Sequence, residues 1–132
     1  MLLKVKRSTI ILLILFVFFL LPFVCSADAE VNMKVQVGFH GVFRLGQPFP
    51  LTVELTNIGR SMEGTLEVEV PKGWSSKGVP AYAVFHRKKV FIGTQIHKEF
   101  VFTVDPDSVA RSLTIRFFRH DKELVTRELD LI

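Results

Sequence analysis

The chain has 132 residues, 48% of them hydrophobic and 23% charged, with a formal net charge of +4 and a single cysteine. Fourteen of the fifteen residues from Ile10 to Val24 are apolar, and this stretch accounts for most of the excess hydropathy. The 103 residues from Glu30 onward contain 43 apolar residues with charges interspersed, which excludes a multi-span membrane protein, a coiled coil or a disordered tail and leaves room for one domain core but not two.

Lys4, Lys6 and Arg7 precede an unbroken run of twelve apolar residues, Ile10 to Leu21, that ends at Pro22. Ala27 and Ala29 then put small residues where a signal peptidase reads, so residues 1–29 are predicted to be a signal peptide cleaved before Glu30, or alternatively after Ala27. The rival reading is an uncleaved anchor. Twelve to fifteen residues rise only about 18 to 22 Å as a helix, short of a ~30 Å hydrocarbon core, which favours cleavage. Under either reading the basic end stays inside and the domain is exported to the cell envelope or beyond. Cys25 follows Val24, not the small residue a lipid-attachment site needs, so it is expected to leave with the signal. The mature chain would then have no disulfide, unlike most small exported domains of animals. It also has no N-x-S/T sequon, since neither Asn32 nor Asn57 starts one. Together these features predict a bacterial envelope protein.

From residue 30 onward there are fourteen Val, nine Phe and seven Thr but only three Ala, a composition suited to pleated, half-buried surfaces. Period-two alternation recurs along the chain. Val31 to Val37 forms the first strand, followed by a kink at Gly38 and Gly41 and a short Val42-Phe43 piece. Leu51, Val53 and Leu55 alternate with Thr52, Glu54 and Thr56 up to the turn Asn57-Ile58-Gly59. Leu66, Val68 and Val70 alternate with Glu67 and Glu69 up to Pro71-Lys72-Gly73. Tyr82 to Phe85 and Val90 to Ile92 read as a hairpin across His86-Arg87-Lys88-Lys89. Phe100, Phe102 and Val104 share one strand face, as do Leu113, Ile115 and Phe117. A turn at Arg119 to Lys122 leads into a last strand, Glu123 to Leu131. Seven or eight short strands, each burying one face, predict an all-β antiparallel sandwich of immunoglobulin-like type over residues 30–132.

The stretch LGQPFPLTVELTNIGRSMEGTLEVEVPKGW, Leu45 to Trp74, resembles bacterial extracellular immunoglobulin-like modules, in which one strand ends in T-N-x-G and the next in P-x-G-W. IGTQIHKEFVFTVDP, Ile92 to Pro106, is similar to their companion strand. The likeness is to the bacterial cell-adhesion-related domain and to the NPCBM-associated domain that accompanies some secreted glycosidases. The opening VGFHGVFRLGQPFPLTVELTN also resembles the N-terminal region of uncharacterised membrane-anchored proteins of Gram-positive bacteria. The resemblance implies fold and compartment, with Asn57 and Gly59 in positive-φ turn positions and Trp74 folded back over the sandwich edge; it transfers no catalytic residue. Because the sequence stops directly after the last strand, it is expected to be either a stand-alone module or the truncated N-terminal domain of a larger membrane-anchored envelope protein.

Residue types that carry chemistry are scattered. His40, His86, His97 and His120 lack the paired spacing of metal ligands and read as loop histidines. No G-x-S-x-G elbow surrounds Ser75-Ser76. Glu67 and Glu69 share a strand face and could in principle act on a sugar, but alternate carboxylates are ordinary on a solvated strand face. No enzyme, cofactor or metal site is expected. The clearest surface feature is the basic turn Arg87-Lys88-Lys89, which Arg116, Arg119 and Lys122 would extend if the hairpins lie close. Such a tip suits anionic envelope polymers or lipid headgroups, or simply discourages edge pairing. Fourteen basic against twelve acidic residues from position 30 onward is too balanced for a nucleic-acid binder. Trp74, Tyr82 and Phe118 are candidate exposed aromatics for stacking on a sugar or a partner protein. The expected role is an exported, non-enzymatic module for interaction or spacing in the envelope, its partner an envelope protein or polysaccharide, touching the membrane only through an uncleaved N-terminal segment. A carbohydrate-binding accessory module is the alternative.

Overall fold

The computed structural model describes residues 6–20 and 31–132. The N-terminal stretch forms one helix, α1 (Arg7–Leu20), of 14 residues. No helix among the described residues is long and apolar enough to cross a membrane. The predicted cleavage positions at Ala27 and Ala29, and Cys25, lie outside the described residues.

Seven strands follow: β1 (Val31–Val37), β2 (Phe49–Asn57), β3 (Met62–Lys72), β4 (Tyr82–Ile92), β5 (Ile96–Val104), β6 (Ser112–Arg119) and β7 (Lys122–Asp130). They pair in two sheets ordered β1-β2-β5 and β4-β3-β6-β7, and every pairing is antiparallel. Strands 1, 2 and 5 in one sheet against 3, 6 and 7 in the other is the partition of an immunoglobulin-like sandwich, with the fourth strand added beside the third. Alternation dictates the packing. Along β2 every odd-numbered residue from Phe49 to Asn57 is buried and every even one half-buried, so one face enters the core. Leu51, Val53, Leu55, Leu66, Val68, Leu113, Ile115 and Phe117 are all 0% exposed, each such side chain stabilising the fold by about 1.5–3 kcal/mol through burial. Gly64 lies against the tip of the Phe117 ring: a Cβ there would lie 2.6 Å from the ring and 2.6 Å from the Phe118 carbonyl oxygen. The absence of a side chain in mid-strand is what admits the Phe117 ring.

Three expectations are corrected. First, Tyr82 to Ile92 is one continuous strand of 11 residues, not two strands around a turn. His86 and Arg87-Lys88-Lys89 lie in its middle, where β3 runs past them in register: Arg87 opposite Glu67, Lys88 opposite Leu66 and Lys89 opposite Thr65. A run of cations is compatible with extended backbone when an acidic strand lies alongside. Second, Val42 does not begin a strand. Phe39 and Val42 exchange N–H···O bonds of 2.9 and 3.0 Å around a two-residue turn with φ 52° at His40 and 84° at Gly41, the primed geometry that suits a tight hairpin. Third, neither Asn57 nor Gly59 has positive φ. The Asn57 side chain organises the turn instead. It is fully buried; its amide donates to the Arg60 carbonyl at 2.8 Å and more distantly to the carbonyls of Ile92 and Gly93, while its Oδ1 accepts from the Gly59 N–H at 3.0 Å. One amide thereby ties the end of β2 to the end of β4.

The opposite end is closed by Asp107, which accepts the Gly73 N–H at 2.6 Å and pairs with Lys72 at 3.1 Å. The hydrogen bond from Lys72, then that from Gly73, hold its carboxyl below the usual aspartate value. Laterally, β1 and β7 approach each other on one side of the sandwich and β4 and β5 on the other. On the β4 side, Lys98 of β5 donates to the Phe91 carbonyl at 2.7 Å, and the Lys88 ammonium lies 5.6 Å from the centre of the Phe100 ring.

Candidate functional site

The outer face of the four-stranded sheet is built by the residues between the core positions. On β3 these are Glu63, Thr65, Glu67 and Glu69; β4 contributes Phe85, Arg87, Lys89 and Phe91, and β6 contributes Arg116 and Phe118. The ladder sets Glu67 between Arg87 on one side and Arg116 on the other. Arg87 Nε donates to Glu67 Oε2 at 2.6 Å, while Arg116 Nη1 reaches Glu67 Oε1 at 3.3 Å and Glu69 Oε2 at 2.5 Å. Glu67 is only 4% exposed although it points away from the core, because the two arginines lie over it. Its carboxylate tolerates that burial because each oxygen accepts a charged donor. The bond to Glu69 is the main influence raising the Arg116 pKa, opposed by partial burial, so Arg116 remains a cation. The expectation of a solvated acidic strand face is corrected: both carboxylates are engaged by arginine, Glu67 almost fully covered and Glu69 in part.

The candidate residues separate into two groups. Arg87 and Lys89 project on the outer face in mid-β4, and the Arg87 guanidinium lies 5.3 Å from the centre of the Phe85 ring. Lys88 points the other way, towards the seam between β4 and β5. Lys88 and Lys89 take part in no ion pair among the described residues. Two of the three aromatic candidates, Trp74 and Tyr82, lie towards the other end of the strand, and Phe118, half-buried, lies beside Lys89 and Phe91. Trp74 is half-buried against the core, and its indole N–H donates to the Pro71 carbonyl at 3.0 Å, folded back as the resemblance implies. Tyr82, at the start of β4, is 60% exposed. Of the pair, Tyr82 has the more exposed ring, which lies beside Gly73.

The structure also gathers residues the sequence reading left apart. Glu63, Thr65, Lys89, Phe91, Phe118 and His120 line an open depression of about 460 Å³ between the β3–β4 ladder and the β6–β7 turn. Phe91 is 59% exposed although its neighbours Val90 and Ile92 are core residues. The signal was a phenylalanine on the polar parity of an alternating segment, the same oddity that marks Phe118 beside Phe117. His120 occupies the β6–β7 turn with φ 47°. His97 lies on β5, with Nδ1 3.0 Å from Thr56 Oγ1 and Nε2 3.6 Å from Glu54 Oε1. Among the described residues no group of three or more potential metal ligands converges.

An immunoglobulin-like sandwich with an aromatic and cationic outer face on its longer sheet is therefore the class this chain defines. The chain belongs to the family described as a domain of unknown function, DUF8726, whose model matches residues 30–132. The comparison with curated proteins gave no match. Among solved structures, a β-glucosidase from Listeria innocua is 14% identical with a TM-score of 0.50, over 77% of this chain and 16% of the other. The chain thus spans about one-sixth of the length of that enzyme. An alkylpurine DNA glycosylase from Pseudomonas fluorescens, bound to DNA containing an abasic site analogue, is 15% identical with a TM-score of 0.50, over 77% of this chain and 30% of the other. An immunoglobulin-like protein from Pseudomonas aeruginosa is 15% identical with a TM-score of 0.41, over 79% of this chain and 98% of the other. At these identities the first two likenesses are of fold alone.

Proposed function

We propose that this protein is an exported, non-enzymatic interaction module of the bacterial cell envelope, of the cell-adhesion-related or NPCBM-associated kind. The observation that carries this reading is the outer face around β4. Phe85, Phe91, Arg87 and Lys89 are exposed on a finished sandwich whose core does not need them, while the neighbouring carboxylates Glu67 and Glu69 are paired with arginines. Exposed aromatics supply contact area and cations supply orientation and steering towards an anionic partner. Export rests on the basic, apolar and small-residue pattern of residues 1–29.

The test is in two parts. N-terminal sequencing of the protein recovered from the envelope or medium should start at Glu30 if the leader is removed, and at Met1 if it is retained as an anchor; recovery only from the cytoplasm rejects the compartment. Cross-linking from Phe91 replaced by a photoreactive phenylalanine should then capture a discrete envelope component, and the same replacement at Asn32, on the other sheet, should not.

The carbohydrate-binding alternative is favoured by the exposed ring of Tyr82 and by the depression between Phe91 and Phe118. A glycan array decides it. Specific binding that is lost in Tyr82→Ala or Phe91→Ala at unchanged thermal stability supports the sugar reading, and silence across the array removes it.

A further inference from the structure

We propose that the free edge of β4 is a docking site for an extended acidic strand, which joins the four-stranded sheet alongside residues 83–89. This rests on the reading of the domain as an interaction module and names the chemistry of the partner.

The edge is long, and among the described residues no strand pairs with it. β4 runs for 11 residues without a proline, is paired on one side by β3 over its whole length, and ends its sheet on the other. The direction of its backbone groups follows from one contact. Lys98 reaches the Phe91 carbonyl from the neighbouring sheet, so that carbonyl points away from β3. In an antiparallel ladder the N–H and C=O of one residue point to the same side and alternate residues repeat the direction. Among the described residues, the outward donors and acceptors are therefore those of Ala83, Phe85, Arg87 and Lys89, while Lys98 covers the far end at Phe91. Four residues with outward backbone groups suit an added strand of about seven residues.

Charge selects the occupant. Between Tyr82 and Ile92 there are three cations and no acidic residue. Pairing of β4 with β4 of a second copy, in antiparallel registers centred on residues 87 to 89, sets one of Arg87, Lys88 and Lys89 opposite another, and like charges directly opposed destabilise a ladder. The same lysines that resist self-association favour an acidic strand. The structure shows such a strand on the other edge: β3 carries Glu63, Glu67 and Glu69, and Glu67 takes Arg87 at 2.6 Å. Lys89 on the outer face and Lys88 at the seam remain for carboxylates of the incoming strand. A neutral strand would gain the backbone bonds without these charges.

The probe is an acetylated, amidated, fluorescent peptide with the sequence of residues 63–70, titrated with the full-length protein by anisotropy. Saturable binding is expected, weakening as salt is raised, and about tenfold weaker for the peptide with lysine in place of each glutamate. N-methylation of alternate peptide residues separates strand addition from simple charge attraction. One of the two alternating N-methyl sets should abolish binding and the other should be tolerated, because only one edge of the peptide faces β4. Equal affinity of the two sets overturns the proposal, as does equal affinity of the acidic and basic peptides. In the protein, Lys89→Pro deletes an outward N–H that β3 does not use; it should weaken binding about tenfold beyond Lys89→Ala. If Lys89→Pro does not fold, the N-methyl pair alone decides. An envelope partner held equally by wild type and Lys89→Pro, with no peptide binding, overturns strand addition and leaves the interaction-module reading intact. Peptide binding with no envelope partner does the reverse.

Discussion

β2 and β4 are both long strands of the sandwich, yet they meet different fates. β2 lies in the middle of its sheet, and its alternation becomes a regular succession of buried and half-buried residues. β4 ends its sheet, and only Val90 and Ile92 of its 11 residues are buried. The difference is one of cover: β5 approaches β4 mainly at the Ile92 end, so the same parity that reaches the core at Val90 and Ile92 meets solvent at Tyr82 and Val84. A strand longer than its cover keeps its conformation through its ladder to β3, and its remaining side chains are released from packing duty.

Four substitutions probe that contrast, each read by urea denaturation followed by far-ultraviolet circular dichroism. Phe117→Ala, in the closed centre, should cost about 3–5 kcal/mol; a cost below about 1 kcal/mol would mean that the centre is not the densest part of the fold. Asn57→Ala removes the amide that ties the end of β2 to the end of β4 and leaves buried carbonyls unserved. About 1–3 kcal/mol is expected, with faster amide exchange at Ile92 and Gly93 than at Leu51. Glu67→Gln keeps the shape of the ion network but removes its charge. About 1–3 kcal/mol is expected, because the amide sets one donor against an arginine in a covered site, with little of the cost lost as salt is raised; a cost that salt abolishes would show a solvated pair. Phe91→Ala, on the outer face, should change stability by less than about 0.5 kcal/mol; a larger loss would show that the ring supports the sandwich and is not available to a partner.

The strands that follow strict alternation, β1, β2 and β6, were legible from Val31, Leu51 and Leu113 onward, because period two reports a face and a face reports a core. β4 was not. His86-Arg87-Lys88-Lys89 has the polarity of a turn, and what keeps it extended lies far away in sequence: Glu67 beside Arg87, and Phe100 under Lys88. A local pattern does not encode a partner 12 or 20 residues distant. For the same reason the two carboxylates of β3 looked solvated, since Arg116 comes to Glu67 only through the β3–β6 ladder. Trp74 was legible, because P-x-G-W places an indole within reach of the proline carbonyl. The role of Asn57 was half legible: the turn was apparent, but not that its side chain, and not its backbone, does the work. The candidate surface was thus named in part, through Arg87 and Lys89, while Lys88 and Tyr82 have the opposite parity on β4 and Phe91 entered it only once β4 was continuous.

The ladder has one further consequence, a mechanical one. β1 starts at Val31 opposite Asn57, whereas β7 finishes at Asp130 opposite Ser112, at the other end of the sandwich. The polypeptide enters at one pole and leaves at the other. Tension applied between those two points runs parallel to the strands and loads the β1–β2 and β6–β7 ladders in shear, where many hydrogen bonds must yield together and cannot unzip one by one.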